Sequence, residues 1–487
     1  MGPWKGGPAK MTDSVHPSPE ETDHEPVPIP PPDRRLFRGG LILLAATLGY
    51  YAFNADTGSS TELYAGLAII VLASLPALLW ARRATYGFPV FEVFMLTGAN
   101  IYALPLLNRQ NELLTYPEPI VEQAAFAVLL FQGIAIVTYA ITQGRSRTTP
   151  FWTREIISRD IGTYLGYGLV LTTIYTGLAT FADLIPSDLE GPLRAVFYGI
   201  GIISTFIQGR RWGQNDLRAN EKIFFIGNIV LQVVFNFATL YLINGISIVV
   251  LALLGYVSGG KRLPVIALAI TLPIIAVLHN GKTAMRDKYW QDNVATKPEL
   301  AELPGFFGEW LQQGLAHHPK AGLTGKLIER TSLFQMICLV VNDTPSQLPF
   351  LDGETYGQIP GQFVPRLFWP EKPVGHISTY TLSVYYGLQR PEDTAKTTIA
   401  FGLLAEAYAN FGYYGVGLLA FCFAFGLKKY AVWSKDSPIL SYAGLMLVLL
   451  MAWSFQTELT LSIWLSSLFQ AAVAVLGVPF ALRHFLE

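Results

Sequence analysis

Apolar residues along this chain arrive in blocks separated by short polar breaks, and one break is far longer than the rest. A helix needs roughly 20 apolar residues to cross the hydrocarbon core of a bilayer. Twelve blocks meet or approach that length: about 37–53, 63–81, 88–108, 119–141, 160–182, 192–208, 223–242, 244–258, 263–279, 398–426, 438–455 and 459–482. The pattern predicts an all-α polytopic membrane protein with about 12 transmembrane helices. Blocks 223–242 and 244–258 are the weakest, and only the region around Asn244 and Gly245 separates them, which predicts a tight helical hairpin. Four parts follow: a tail over 1–33, a nine-helix membrane block over 37–279, a large partly helical cap over 280–397, and a three-helix block over 398–482.

Periodicity also assigns structure inside the cap. HNGKTAMRDKYWQ, residues 279–291, reads as a continuation of the ninth helix beyond the bilayer, with Lys282 and Arg286 four apart on one face. Phe306, Phe307, Trp310, Leu311 and Leu315 recur at helical spacing, which predicts an amphipathic helix over 306–318 resting on the membrane interface. Residues 323–343 predict a second helix, with Lys326 and Arg330 four apart and an apolar run, Leu333 to Val341, that is too short to span and should pack inward. Beyond it Pro345, Pro349, Pro360, Pro365, Pro370 and Pro373 interleave with Gly353, Gly357 and Gly361. Such a stretch resists helix and strand alike and predicts a stiff extended loop.

The tenth block re-enters with Thr398, Gly402, Glu406 and Asn410 every four residues, a single polar stripe. Glu406 is expected about 12 Å along that helix from its outer end, at about 1.5 Å per residue. A carboxylate at that depth costs at least ~2.5 kcal/mol unless it meets a cavity or a cation. The stripe is therefore expected to line a wet cavity open to the outside, beneath the cap.

Composition supports the membrane assignment: 51% of residues are hydrophobic and 14% charged, against about 25% charged in soluble globular chains. The net charge of −1 decides nothing, because membrane proteins sort charge by side. Two cysteines, Cys338 and Cys422, rule out a disulfide framework. No His/Cys cluster has zinc spacing, so neither metal nor cofactor is expected. Residues 1–33 hold nine prolines and almost no large apolar residue, so disorder is expected there. They lack the apolar core of a signal peptide. MGPWKGGPAK reads either as a leftover ahead of a first residue at Met11 or as an upstream start.

Charge asymmetry orients the spans. With the N-terminus inside, the cytoplasmic connectors carry Arg34, Arg35 and Arg38, then Arg82 and Arg83, then Arg145, Arg147, Arg154 and Arg159. Arg210, Arg211, Arg218 and Lys222 follow, then Lys261 and Arg262, then Lys428, Lys429 and Lys435, and finally Arg483. The short external connectors carry essentially Arg109 and Arg194. Twelve spans place both termini in the cytoplasm and the cap outside, in a bacterial inner (plasma) membrane or its equivalent. The basic residues mark topology rather than a patch, so no nucleic acid is expected.

Cations gathered at the outer boundary above a polar groove suit a lipid-linked phosphate or pyrophosphate. Arg286, Arg330 and Arg366 offer planar forks for phosphate oxygens, and Lys282 and Lys372 offer point charges. Such cations would stabilise a pyrophosphate as a glycosidic bond breaks. Tyr356 and Trp369 are suited to stacking on sugar rings, Asn410 continues the polar stripe, and Glu406, His279 and His376 are candidate bases for an acceptor hydroxyl.

Here the chain resembles the O-antigen and oligosaccharide repeat-unit polymerases (Wzy-type). The resemblance rests on IPGQFVPRLFWPEKP at 359–373, GKTAMRDKYW at 281–290, TIAFGLLAEAYANFGYYG at 398–415, and a many-span layout with one dominant external loop. Its local motifs cover roughly 279–415; the first nine spans match only in hydropathy. It implies a GT-C-like membrane glycosyltransferase that joins undecaprenyl-pyrophosphate-linked repeat units outside, for O-antigen, capsule or exopolysaccharide, with no nucleotide sugar and no obligatory metal. It implies Arg286, Arg330 and Arg366 as the functional external arginines. Expected partners are the polyprenyl-linked oligosaccharide, membrane lipids, a chain-length regulator and a flippase.

Structural alternatives stand beside these roles. Arg366 and Lys372 would also serve to pin a proline-rich loop through carbonyls. Arg286 would serve as an interfacial anchor, Arg330 as half of an ion pair, and Glu406 as the partner of a cap arginine. His317 and His318 read as an exposed helix end. Glu458 and Thr457, in the turn between the last two spans, would rim the cavity. Two other functions share the layout: a ligase that moves a finished glycan from the same carrier, and a lipid-linked glycan flippase or secondary transporter.

Overall fold

A computed structural model describes residues 34–82, 88–142, 161–182, 187–240, 242–262, 264–291, 294–295, 298–316, 333–364, 369, 371–373, 375–394, 398–435, 437–439 and 441–477. The predicted tail over 1–33 lies outside them. A helix coincides with each predicted block: α1 (Arg34–Asn54), α2 (Ser60–Ala81), α3 (Val90–Leu107), α4 (Glu118–Ile141), α5 (Ile161–Phe181) and α6 (Ser187–Gly213). They continue with α7 (Ala219–Ala238), α8 (Leu242–Ser258) and α9 (Val265–Tyr289). The cap contributes α10 (Leu303–Ala316), α11 (Phe334–Asp343) and α12 (Ile377–Tyr385). Last come α13 (Gly402–Trp433), α14 (Tyr442–Trp453) and α15 (Leu461–Ala472). Among the described residues the only strands are the two-residue pair Trp290–Gln291 and Val294–Ala295. The chain is an all-α membrane protein, and among the described residues six helices, α1, α2, α3, α4, α7 and α13, are long and apolar enough to cross a bilayer.

Several contacts between span ends fall into two sets by predicted side, with an exception. Asp56 bridges to Asn108, Ser59 Oγ donates to Glu122 Oε1 at 3.0 Å, Leu333 N donates to Ile101 O at 3.3 Å, and Gly402 N donates to Glu458 O at 3.1 Å. All of these belong to connectors or span ends predicted outside. On the other set, Arg210 Nη1 donates to Ser258 O at 2.9 Å, and Lys428 Nζ lies 4.5 Å from the centre of the Tyr139 ring. The exception is Ser454 Oγ, at an end predicted outside, which donates at 3.3 Å to Val90 O, at an end predicted inside.

Helices α6 and α8 meet through glycines. A Cβ on Gly209 or Gly213 would overlap backbone of α8 at Ala252 or Tyr256, and one on Gly255 or Gly259 would overlap backbone of α6 at Phe206 or Arg210. Small residues four apart on both partners let membrane helices approach to backbone contact. The main core takes in Phe206, Ile207 and Leu251 of this contact and extends through α4, α11, the first half of α13 and α14, with Phe334, Ile337, Ala407, Val448 and Leu449 fully buried. A second cluster of Phe237, Leu240, Leu242, Leu278, Met285, Phe306 and Trp310 joins the α7–α8 turn to α9 and α10.

Helix α9 runs on to Tyr289, as the sequence predicts. The expected interfacial helix forms as α10, but its apolar face is consumed by packing on α9. Trp310 is fully buried, its Nε1 donates to Leu278 O at 2.6 Å, and it lies over Gly281, while Gly314 abuts Val277. Only Leu311 and Leu315 of the predicted face stay exposed. Lys288 Nζ and Tyr289 Oη close the hairpin on Glu309 at 2.7 and 3.2 Å. Helix α11 carries the inward-packing part of the predicted 323–343 helix; Lys326, Arg330, His317 and His318 lie outside the described residues.

The proline-rich stretch is not simply extended. It forms short helical turns at Glu354–Gly357 and Ile359–Phe363, and then α12. Pro360 sits in the first turn of its segment, where a missing N–H leaves no bond unmade.

Irregularities in two helices seat this segment. In α3 the turn Ala99–Ala103 is a π-helix, and its Ile101 carbonyl accepts from Leu333. Helix α13 is broken at Phe411 (φ −142°, ψ 19°) and Gly412 (φ 58°, ψ −144°). The carbonyls of Ala409 and Asn410 accept instead from Leu351 N at 3.0 Å and Asp352 N at 3.2 Å. Unbroken, 32 residues would measure ~48 Å, well beyond a core of ~30 Å. The break leaves a short first piece, 402–410, and a longer one after it. The predicted start at 398 moves to Gly402, whose φ of +77° suits glycine and which packs on Leu333 and the Thr457 carbonyl.

Candidate functional site

Glu406 lies in the short first piece of α13. The helix begins at Gly402, so the carboxylate stands about one turn from its end rather than the expected 12 Å. It is fully buried. Oε2 accepts from Leu461 N at 2.6 Å, and Oε1 is buried with no hydrogen-bond partner among the described residues. Leu461 opens α15, whose N-cap Thr460 makes no side-chain cap. Glu406 therefore caps a helix 55 residues further along the chain, at the end where the helix dipole favours a negative charge. Among the described residues the partner of Glu406 is this backbone N–H; Arg330 and Arg366, cap arginines of the predicted alternative, lie outside them.

Asn410, one turn on, is also fully buried. Its Nδ2 donates to Thr355 Oγ1 at 2.9 Å and to Glu406 O at 2.8 Å, and its Oδ1 accepts from Gly353 N at 3.1 Å. Thr355 O in turn accepts from Ser378 Oγ at 3.2 Å, which ties α12 to the same network. Tyr356 follows Thr355. Its ring lies 6.2 Å from that of Phe411, and burial, with the Glu406 charge second, pushes its phenol pKa up. The predicted stripe thus exists, but the cap seals it. A cavity of about 30 Å³ lies beside Leu403, Leu404 and Thr457 and includes neither Glu406 nor Asn410 in its lining. It has room for water, not for a glycan.

The predicted cations divide. Lys372 Nζ donates to Gln362 O at 3.2 Å and Val364 O at 2.9 Å, so it pins the loop. Arg286 Nη2 donates to Leu240 O at 3.1 Å, and Leu240 turns the α7–α8 hairpin at a φ of +60°. Lys282 is half-buried one turn before it on α9. Arg366 and Arg330 lie outside the described residues. Trp369 is 42% exposed, and its ring edge lies over Gly361, which leaves ring surface open to a ligand. His376 is exposed by area, yet enough protein surrounds it that burial first, and Arg194 second, lower its pKa. A neutral imidazole able to accept a proton results. The geometry thus joins Glu406, Asn410 and Tyr356, sets His376 near Arg194, and places Arg286 in the second cluster around α9.

Arg286→Ala is expected to lower the thermal unfolding midpoint by several degrees in detergent. Leu240 is 1% exposed, and an orphaned buried carbonyl costs ~1–3 kcal/mol. An unchanged midpoint would free Arg286 from this structural duty.

Sequence reasoning missed Thr355 and the Leu461 N–H. Thr355 is one polar residue among many in its loop, and a backbone donor leaves no trace in composition. Arg194, read only as a topology signal, is the charge His376 senses.

Residues 219–437 match a family described as "Domain of unknown function (DUF8712)". The match starts at α7 and ends just after α13, so it encloses every candidate residue named above from Lys282 to Asn410. Over 66 residues the chain is 41% identical to a protein named "Vacuolar membrane protease" from Arthroderma otae, and equally so to its namesake from Arthroderma benhamiae. Each match covers 13% of this chain and 6% of the relative, so the chain spans only a small part of these curated relatives. No solved structure matches.

Proposed function

We propose that this chain is a glycosyltransferase of the bacterial inner membrane, crossing it about twelve times with both termini cytoplasmic. On this reading it joins undecaprenyl-pyrophosphate-linked oligosaccharide repeat units on the external face, in O-antigen, capsule or exopolysaccharide assembly. One observation carries the reading most: the cap folds onto the predicted external ends of α3, α4, α13 and α15 with a buried carboxylate, Glu406, directly beneath it. An acceptor hydroxyl would attack the anomeric carbon, Glu406 would take its proton, and the pyrophosphate would leave toward guanidinium groups. Arg286 already holds a carbonyl, so the leaving-group role leans on Arg366. Trp369 and Tyr356 would contact sugar.

The break in α13 favours a second reading, a lipid-linked glycan flippase or secondary transporter, because transporters place discontinuous helices at their sites. Two of the carbonyls at this break, however, are taken by Leu351 and Asp352. Purified protein incubated with lipid-pyrophosphate repeat units is expected to give a ladder of lengthened products. A single transfer to another acceptor would make the protein a ligase, and carrier movement between leaflets without any glycan product would make it a flippase.

A further inference from the structure

We propose that the small cavity between α3, α4 and the Ser454–Thr460 turn is a water-binding site, and that its water ties this turn to the membrane core. Two observations meet there. The cavity holds about 30 Å³ and is lined by Gly98, Tyr102, Gln132, Leu403 and Thr457, among others. Gln132 is 2% exposed and Thr457 5% exposed, and Gln132 Oε1 and Thr457 Oγ1 are both buried with no hydrogen-bond partner among the described residues. Leaving two such atoms dry would cost ~1–3 kcal/mol each.

A water fits both demands. It needs roughly 10–15 Å³ and two or more polar partners. One O–H donates to Gln132 Oε1, and the water oxygen accepts from the Thr457 hydroxyl. A metal cation fits poorly, because six or more oxygens satisfy calcium and about six satisfy magnesium, whereas the lining has no carboxylate.

The place of this water gives it a task. Gly402 N and Leu403 N donate to the carbonyls of Glu458 and Thr457 at 3.1 and 3.4 Å. The same turn leads into Leu461, which donates to Glu406. A water fixing Thr457 to α4 therefore fixes both the start of the Glu406-bearing helix and the donor that Glu406 receives.

The test has two arms. In an experimental map of the wild-type protein in lipid nanodiscs, at a resolution that shows ordered water, one peak is expected within hydrogen-bond distance of both Gln132 and Thr457. An empty cavity overturns the proposal. The second arm compares Gln132→Leu, Thr457→Val and the double variant by thermal unfolding. A shared water makes the losses non-additive, so the double variant should lose no more than the worse single variant. Additive losses, or a rise in midpoint for either single variant, overturn it. If the variants do not fold, the wild-type map decides.

Discussion

Gly255→Val is expected to abolish folded protein in detergent extracts, from which the wild type is expected to elute as a single species. The reason is what the new Cβ meets. At Gly255 it would overlap the Phe206 carbonyl and approach Arg210 N at 3.1 Å, both backbone atoms of α6. No rotamer change relieves a backbone clash, so the two helices must part. Parting exposes Phe206, Ile207 and Leu251, which are 0%, 2% and 6% exposed. It also breaks the Arg210–Ser258 bond of 2.9 Å and separates Trp212 from Tyr256, whose rings meet edge-on at 5.5 Å. Ordinary overpacking costs ~1–3 kcal/mol; losing the interface belongs in the rarer class above ~4 kcal/mol. Gly227 supplies the control. It lies on α7 with nothing within 4 Å of a built Cβ, so Gly227→Ala should leave the melting curve unchanged or raise it slightly, as helix propensity favours alanine by about 1 kcal/mol. A wild-type melting curve for Gly255→Val would refute the close approach of α6 and α8.

That contact illustrates what the sequence reveals. The glycines at 209, 213, 255 and 259 are visible as pairs four apart, but nothing in one chain says which pairs face each other. The span pattern was easier to read, because hydropathy acts over whole segments and a helix coincides with every predicted block. The extension of α9 to Tyr289 was also legible, since no glycine or proline follows Gly281 within it.

Long-range backbone partners were not legible. The seats for the cap come from a π-turn in α3 and a break in α13, and both depend on carbonyls that every residue possesses. Gly412 hinted at a break, but glycine is common in membrane helices. The face of α10 reads as one resting on the membrane interface because amphipathicity reports an apolar surface without naming its cover. Lys372 shows the converse: the structural alternative foreseen for it, pinning a loop by carbonyls, is the one found. In the candidate site the stripe of Gly402, Glu406 and Asn410 was legible from spacing. Its closure by Thr355 and Leu461, 55 residues from Asn410 and Glu406 respectively, was not.

Glu406 can be separated into its two roles by the choice of substitution. Glu406→Ala removes the acceptor from Leu461 N, and an orphaned buried donor costs ~1–3 kcal/mol, so that variant is expected to melt earlier whatever its activity. Glu406→Gln keeps an oxygen for Leu461 N and forfeits only the charge at the α15 N-terminus, worth ~0.3–1 kcal/mol. It should fold with a midpoint close to the wild type. If Glu406 takes the acceptor's proton, the glutamine variant should lose chain extension by about 10²–10⁴-fold, the usual contribution of general base catalysis. The pair of readouts matters more than either alone. Folded, inactive Glu406→Gln beside unstable Glu406→Ala means that one carboxylate holds α15 with Oε2 and works on substrate with Oε1, which would require the cap to open for entry. A full product ladder from Glu406→Gln would make Glu406 a helix cap only, and His376, with its lowered pKa near Arg194, would become the base to test next.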